Sequence, residues 1–328
     1  MASEINQRKA DHINLALKSQ MENKEADSRF YYEPLFGFHQ KNEDFSKDFC
    51  GVQMNFPLWI SSMTGGTQIA KNINIRLAKA AAKHKLGMGL GSCRVLLEND
   101  KNYKDFAVRK YIKDQPLFAN IGIHQLSELI KKKQTKKIND LVQKLECNGL
   151  IIHVNPLQEW LQPNGDKYFE APIDTILKSI YLFNFPLIVK EVGQGFGKKS
   201  IETLLELPLE ALELAGYGGT NFTKLENLRN KNEVLSDAAF IGHSCNEMLV
   251  WINNFPKDNI KVKHIIYSGG INSFLDAYYF LKKSNINPLI AQGSAMLKMA
   301  LISEKKLDDY IHDFNESLKM CAQFLQLK

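Results

Sequence analysis

A chain of 328 residues, 44% hydrophobic and 24% charged, has an ordinary globular balance and the length to bury a large core. The net charge of +6 is mild, and the densest basic run (131–137, KKKQTKK) has no interleaved aromatics, so it is expected as a solvated helix face rather than a nucleic-acid interface. Five scattered cysteines without a CxxC pair exclude a disulfide framework or zinc site; with a polar N-terminus and no apolar run of membrane-spanning length, a soluble, cytoplasmic protein is expected.

Residues 1–55 are polar and aromatic, start helix-like and include YYEPLFGF; they are expected to form an arm folded over one end of the molecule. Eight short apolar runs follow, each ending in Gly or polar residues. They are FPLWISS (56–62), LGMGLG (86–91), LFANIG (117–122), LIIHVN (150–155), LIVKEVG (187–193), ALELA (211–215), HIIYSG (264–269) and LIAQG (289–293). Continuous runs of this kind suit strands buried on both faces. Helical periodicity fills most of the gaps, at 69–84, 126–145, 173–182, 200–205 and 274–283. Strands alternating with helices imply βαβ units, and eight of them imply a (β/α)8 barrel. The stretch 218–260 is too long for a plain connection, so it predicts an insertion after the sixth strand plus the sixth helix near 238–253. Residues 303–328 read as a C-terminal amphipathic helix, or two, packing on the barrel or on another subunit. No linker divides the chain, which predicts one domain over 1–328.

In such barrels the site lies at the carboxyl ends of the strands, and the polar and glycine-rich residues fall there. Ser268-Gly269-Gly270 and Gly293-Ser294-Ala295, after the last two strands, would let backbone N–H groups approach a phosphate beside a helix N-terminus. Thr220 could add a hydroxyl. Lys190 is costly to bury unpaired inside an apolar strand and is expected to face the mouth and an anion, not to pair with Glu191, whose side chain points to the opposite face. In His153-Val-Asn155-Pro-Leu-Gln158-Glu159, Glu159 is either a surface residue or a Mg²⁺ ligand. His153 is either a core histidine or a functional one. Arg8-Lys9-x-x-His12 gathers three cations, although by itself this segment reads as a solvated tail.

Taken in order, RKADH, SSMTGGT, GSCR, ANIG, HVNPLQE with QPNGD, VKEVGQG, GYGGT and SGGI resemble the type 2 isopentenyl diphosphate isomerases, over almost the whole chain. The resemblance implies conversion of isopentenyl diphosphate to dimethylallyl diphosphate with FMN, a reductant such as NADPH, and Mg²⁺. It implies FMN contacts from Ser62, Met63, Thr64, Ser92, Asn120, Lys190 and Thr220, with Gly269, Gly270, Ala295 and Met296 at the flavin phosphate. It further implies that Arg8, Lys9, His12 and Arg94 bind the diphosphate, with Asn155 and Gln158 on the substrate side. Gln158 and His153 would be the catalytic pair and Glu159 the metal ligand. A homo-tetramer or homo-octamer is also implied. The sequence departs from the family pattern at Cys93 (usually Gln), Asn164, Phe222 and Asn272 (usually Arg); Cys93 raises the expectation of an oxidation-sensitive site.

Two other readings compete. An FMN-dependent oxidoreductase of the hydroxy-acid oxidase type shares the phosphate site but needs a substrate-carboxylate Arg near SGGI, where Asn272 stands. A flavin-binding pseudoenzyme or regulatory subunit would have no reason to keep Gln158, Glu159, Lys190 and the RKxxH arm.

Overall fold

Side chains alternate across a strand, so a strand covered on both faces serves two cores at once. The computed structural model describes residues 2–39, 44–62, 68–163, 165–230 and 236–328. Its centre is a closed parallel barrel of β1 Leu58–Ile60, β2 Gly87–Gly89, β3 Leu117–Gly122, β4 Gly149–His153, β5 Leu187–Lys190, β6 Ala211–Glu213, β7 His264–Tyr267 and β8 Pro288–Gln292. The strands pair in chain order, and β8 closes on β1 with Ile290 beside Leu58 and Gln292 beside Ile60. Each of the eight apolar runs forms one of them. Trp59, Phe118, Ile151, Ile188, Ile266 and Leu289 pack together inside the barrel. Their neighbours Leu58, Leu117, Ile152, Val189 and Leu212 belong to the larger core beneath the helices.

The amino end of the barrel is sealed by a hairpin, Lys47–Phe49 and Val52–Met54. Its two-residue turn, Cys50-Gly51, has φ of +56° and +74°, as the tight type I′ connection requires. The turn aims Phe49 into the barrel, with ring centroids 5.2 Å from Trp59, 6.0 Å from Phe118 and 5.0 Å from His264. The rest of the arm lies elsewhere. The helix Ala2–Leu15 is exposed from Ile5 onward except at Asp11. Phe30–Tyr32 pairs antiparallel with Leu325–Leu327, and Arg29 reaches Asp276 at 2.9 Å. The C-terminal helix Glu304–Phe324 is a single element packed on the barrel helices Gln68–His84 and Phe274–Lys283; it stops at Phe324, where the chain becomes strand.

Two expectations change. The helix over 126–145 is two, Ile123–Lys131 and Lys136–Lys144, because Lys133 turns left-handed at φ +55° and the chain folds back with Gln134 N–H on Leu129 O. The basic run is therefore largely a solvated link between helices. After β6 the insertion is present, with the helix Phe222–Asn230 and a 3-10 turn at Ser236–Phe240. The sixth barrel helix starts only at Cys245, where Ser244 and Glu247 form a capping box.

Phe49 is fully buried, so Phe49→Ala opens a void at the sealed end. It should lower unfolding free energy by about 3–5 kcal/mol in urea titration; a loss under ~1 kcal/mol would show that the hairpin does not close the core.

Candidate functional site

The carboxyl ends of the strands open into one cleft with two halves, joined at Ser62, Lys190, Val192 and Phe222. The first half is built from backbone. Gly269 and Gly270 have φ of +81° and +70°, and a Cβ on Gly269 would lie 2.0 Å from the Gly216 carbonyl oxygen. Only glycine lets the loops after β6 and β7 pack main chain on main chain. Across from them the helix Ser294–Ile302 makes its first capping bond from Leu297 N–H to Gly293 O at 2.9 Å. The N–H groups of Ser294, Ala295 and Met296 therefore lack an intrahelical acceptor. Thr220, Gly269, Gly270 and Ala295 line this half as expected. The Met296 side chain is fully buried in the apolar core, and its N–H stands at the start of the same helix.

The second half gathers Ser92, Arg94, Asn120, His153, Asn155, Gln158 and Glu159. Pro156 starts the helix Pro156–Leu161, whose first turn carries Gln158 and Glu159. The buried Asn155 amide donates to Gln158 Oε1 at 3.1 Å and to Glu159 Oε1 at 2.9 Å, while its own oxygen accepts from Tyr168 at 3.1 Å. In this arrangement Asn155 holds its two neighbours. Gln158 Nε2 donates to Glu226 Oε1 at 3.3 Å, on the insertion helix. Glu159 Oε2 accepts the Asp166 N–H at 2.9 Å, and Asp166 in turn binds Arg94 at 3.1 Å and Gln125 at 2.5 Å.

Inward-facing residues of adjacent strands form a polar row. In register, His153 sits beside Lys190 and Lys190 beside Glu213. Lys190 Nζ lies 3.1 Å from Glu213 Oε1, and the Ser61 hydroxyl donates to the same oxygen at 2.5 Å. Lys190 Nζ also donates to the backbone oxygen of Glu191, at 3.0 Å. The Glu191 carboxylate instead accepts the N–H groups of Gly193, Gln194 and Gly195 at 2.6–2.9 Å, and burial raises its pKa against those bonds. Asn120 donates to Leu90 O at 3.0 Å, which leaves its oxygen to accept from His153 Nδ1 at 2.8 Å. That chain assigns the imidazole proton to Nδ1 and leaves Nε2 an acceptor. Burial, then the Lys190 charge, pushes the half-buried His153 down to about 4.

Arg8, Lys9 and His12 lie on the exposed arm helix and line neither half of the cleft. Met63, Thr64 and Asn164 lie outside the described residues. The Cys93 thiol is fully buried, and burial pushes it up to about 12, which disfavours the reactive thiolate.

No family model matches the chain. Curated relatives do. It is 36% identical over 323 residues to the isopentenyl-diphosphate delta-isomerase of Rickettsia typhi, covering 96% of this chain and 92% of that protein. The Rickettsia prowazekii protein of the same name is 35% identical, with the same coverage. The chain belongs to the type 2 isopentenyl-diphosphate delta-isomerase family. Solved structures share its fold at low identity. The flavin-binding domain of baker's yeast flavocytochrome b2 matches with a TM-score of 0.62 at 11% identity, over 90% of this chain and 72% of that one. A mandelate oxidase variant with a monooxide FMN adduct matches at 0.56 and 9%, over 92% and 88%.

Glu213, Glu226 and Asp166 escaped the sequence reading. Glu213 had one available signal: a carboxylate in an apolar strand demands a partner, as Lys190 does. Glu226 and Asp166 sit in helix and loop sequence where acidic residues are ordinary.

The unfolded imidazole titrates at 6.5 and the folded His153 near 4, so between those values the unfolded chain binds a proton that the folded one refuses. Stability from this group is complete above pH 6.5 and declines as the pH falls toward 4. Thermal melts from pH 7 to 4 should therefore drop more steeply for the wild type than for His153→Gln. Superimposable profiles would remove His153 as a buried neutral group.

Proposed function

We propose that the chain isomerises isopentenyl diphosphate to dimethylallyl diphosphate, with FMN across both halves of the cleft and Mg²⁺ beside Glu159. The observation that carries this reading is one continuous cleft joining a backbone N–H cradle to the Gln158–Glu159–Arg94 cluster.

The cradle fits a phosphate monoester. It offers a left-handed glycine pair, three helix N–H groups and the Thr220 wall, and a buried Ser62 hydroxyl nearby has no protein partner. Bound flavin in its reduced state, reached with NADPH, would supply and recover a proton and offer an electron-rich ring to a developing cation. The protein's share is position and electrostatics. Neutral His153 offers an acceptor at Nε2 rather than an acid at pH 7, and its Nδ1–H donates to Asn120 and fixes it at the cleft wall. Gln158, held at both ends of its amide by Asn155 and Glu226, faces the reacting end of the substrate. Arg94 takes the diphosphate, and Arg8, Lys9 and His12 add cations when the arm closes over it. Among the described residues no set of three acidic, His or Cys side chains converges on one metal point. The fit is thus to a Mg²⁺ shared between Glu159 and substrate oxygens, the usual habit of this ion. A cytoplasmic homo-oligomer accompanies the reading; no described helix is long and apolar enough to cross a membrane, and Trp160 and Phe169 lie exposed.

Purified protein incubated anaerobically with FMN, NADPH, Mg²⁺ and isopentenyl diphosphate should yield dimethylallyl diphosphate with NADPH used only to charge the flavin. Reductant consumption that tracks turnover, or oxidised product, would favour the hydroxy-acid oxidase reading. Absence of turnover with flavin bound would favour the pseudoenzyme. Gln158→Ala should cut isomerisation at least ~100-fold and leave the protein yellow. Glu159→Gln should raise the Mg²⁺ concentration needed for half-maximal rate; an unmoved titration would exclude Glu159 as ligand.

A further inference from the structure

A carboxylate in the middle of the apolar stretch ALELA needs a reason. Glu213 is wholly buried and does not line the cleft, yet it contacts a residue that does. Its Oε1 holds Lys190 at 3.1 Å and accepts from Ser61 at 2.5 Å, while its Oε2 is buried without a partner. Lys190 has three donors. One faces Glu213 and another the Glu191 carbonyl oxygen at 3.0 Å, which leaves one for the cleft, whose two halves Lys190 bridges. Strand register enforces the pairing, since Lys190 and Glu213 are direct neighbours on β5 and β6.

A buried ion pair is weak ground for stability, because removing both charges from water offsets most of the attraction. The arrangement does control potential. A bare ammonium at the cleft floor would favour whatever negative charge the ligand can carry; an adjoining buried carboxylate cancels much of that pull.

We propose that Glu213 is a positioning residue that aims and charge-balances Lys190, and thereby sets how strongly the cleft prefers reduced over oxidised flavin. This rests on the FMN reading above. Glu213 holds that preference down, so the cleft would not over-stabilise negative charge on a bound flavin. Loss of the carboxylate leaves Lys190 uncompensated and tilts the preference toward the reduced, more negative form.

The test uses the full chain with excess FMN, as wild type, Glu213→Gln, Lys190→Met and the double variant. The readouts are the dissociation constant of oxidised FMN and the midpoint potential of the bound flavin. Glu213→Gln should favour reduced flavin by about tenfold, an upward shift of ~30 mV for a two-electron couple. Lys190→Met should shift it downward, and the double variant should match Lys190→Met. Should Glu213→Gln fail to fold, Glu213→Asp withdraws the carboxylate by one methylene and should give a smaller upward shift. An unmoved potential in the Glu213 variant, or the same shift in the absence of Lys190, would overturn the proposal. Wild-type protein that takes up no FMN would instead defeat the flavin reading itself.

Discussion

The parallel register between β4, β5 and β6 is the constraint on which the site depends. It sets His153, Lys190 and Glu213 side by side, all facing inward at the same level. A slip of one residue would turn all three toward the surrounding helices and replace them with Ile152, Val189 and Leu212. The apolar layers beneath forbid that slip, because Ile151 and Ile188 would leave the barrel core with it. The chemistry at the mouth therefore inherits its accuracy from hydrophobic packing below.

Around that row the cleft divides its labour. The half near Gly269 and Gly270 is largely main chain, with the Ser62, Lys190 and Thr220 side chains on its wall. The half near Gln158 is a network of side chains in which each polar group is oriented by another. Asn155 orients Gln158 and Glu159, Glu226 orients Gln158, and Asp166 orients Arg94. The barrel of flavocytochrome b2 shares the overall form at 11% identity, whereas Rickettsia relatives share it at 36%. Fold similarity alone leaves chemistry undecided.

Much of this was legible in the sequence, for identifiable reasons. Buried strands announce themselves as unbroken apolar runs, and strand-end glycines mark where main chain must approach a ligand or another loop. Lys190 is expected at the mouth because an unpaired lysine is costly to bury within LIVKEVG, and it does line the cleft, although it also pairs with Glu213. Pairings between distant segments were not legible. The separation of Ser61 from Glu213, or of Gln158 from Glu226, appears only once the barrel closes. Met296 illustrates a finer limit: the family resemblance places it at the flavin phosphate, and only the structure shows that its side chain joins the core. The break at Lys133 depended on a left-handed backbone at a residue type that seldom adopts one. The arm's RKxxH segment acquires meaning only through family membership, since its helix stands exposed.

Phe49 and its hairpin carry one more implication. Among the described residues, an aromatic cluster corks the amino end of the barrel, and the cleft opens at the other end. Among those same residues, the polar lining of the cleft therefore all lies at the carboxyl end, away from the aromatic plug.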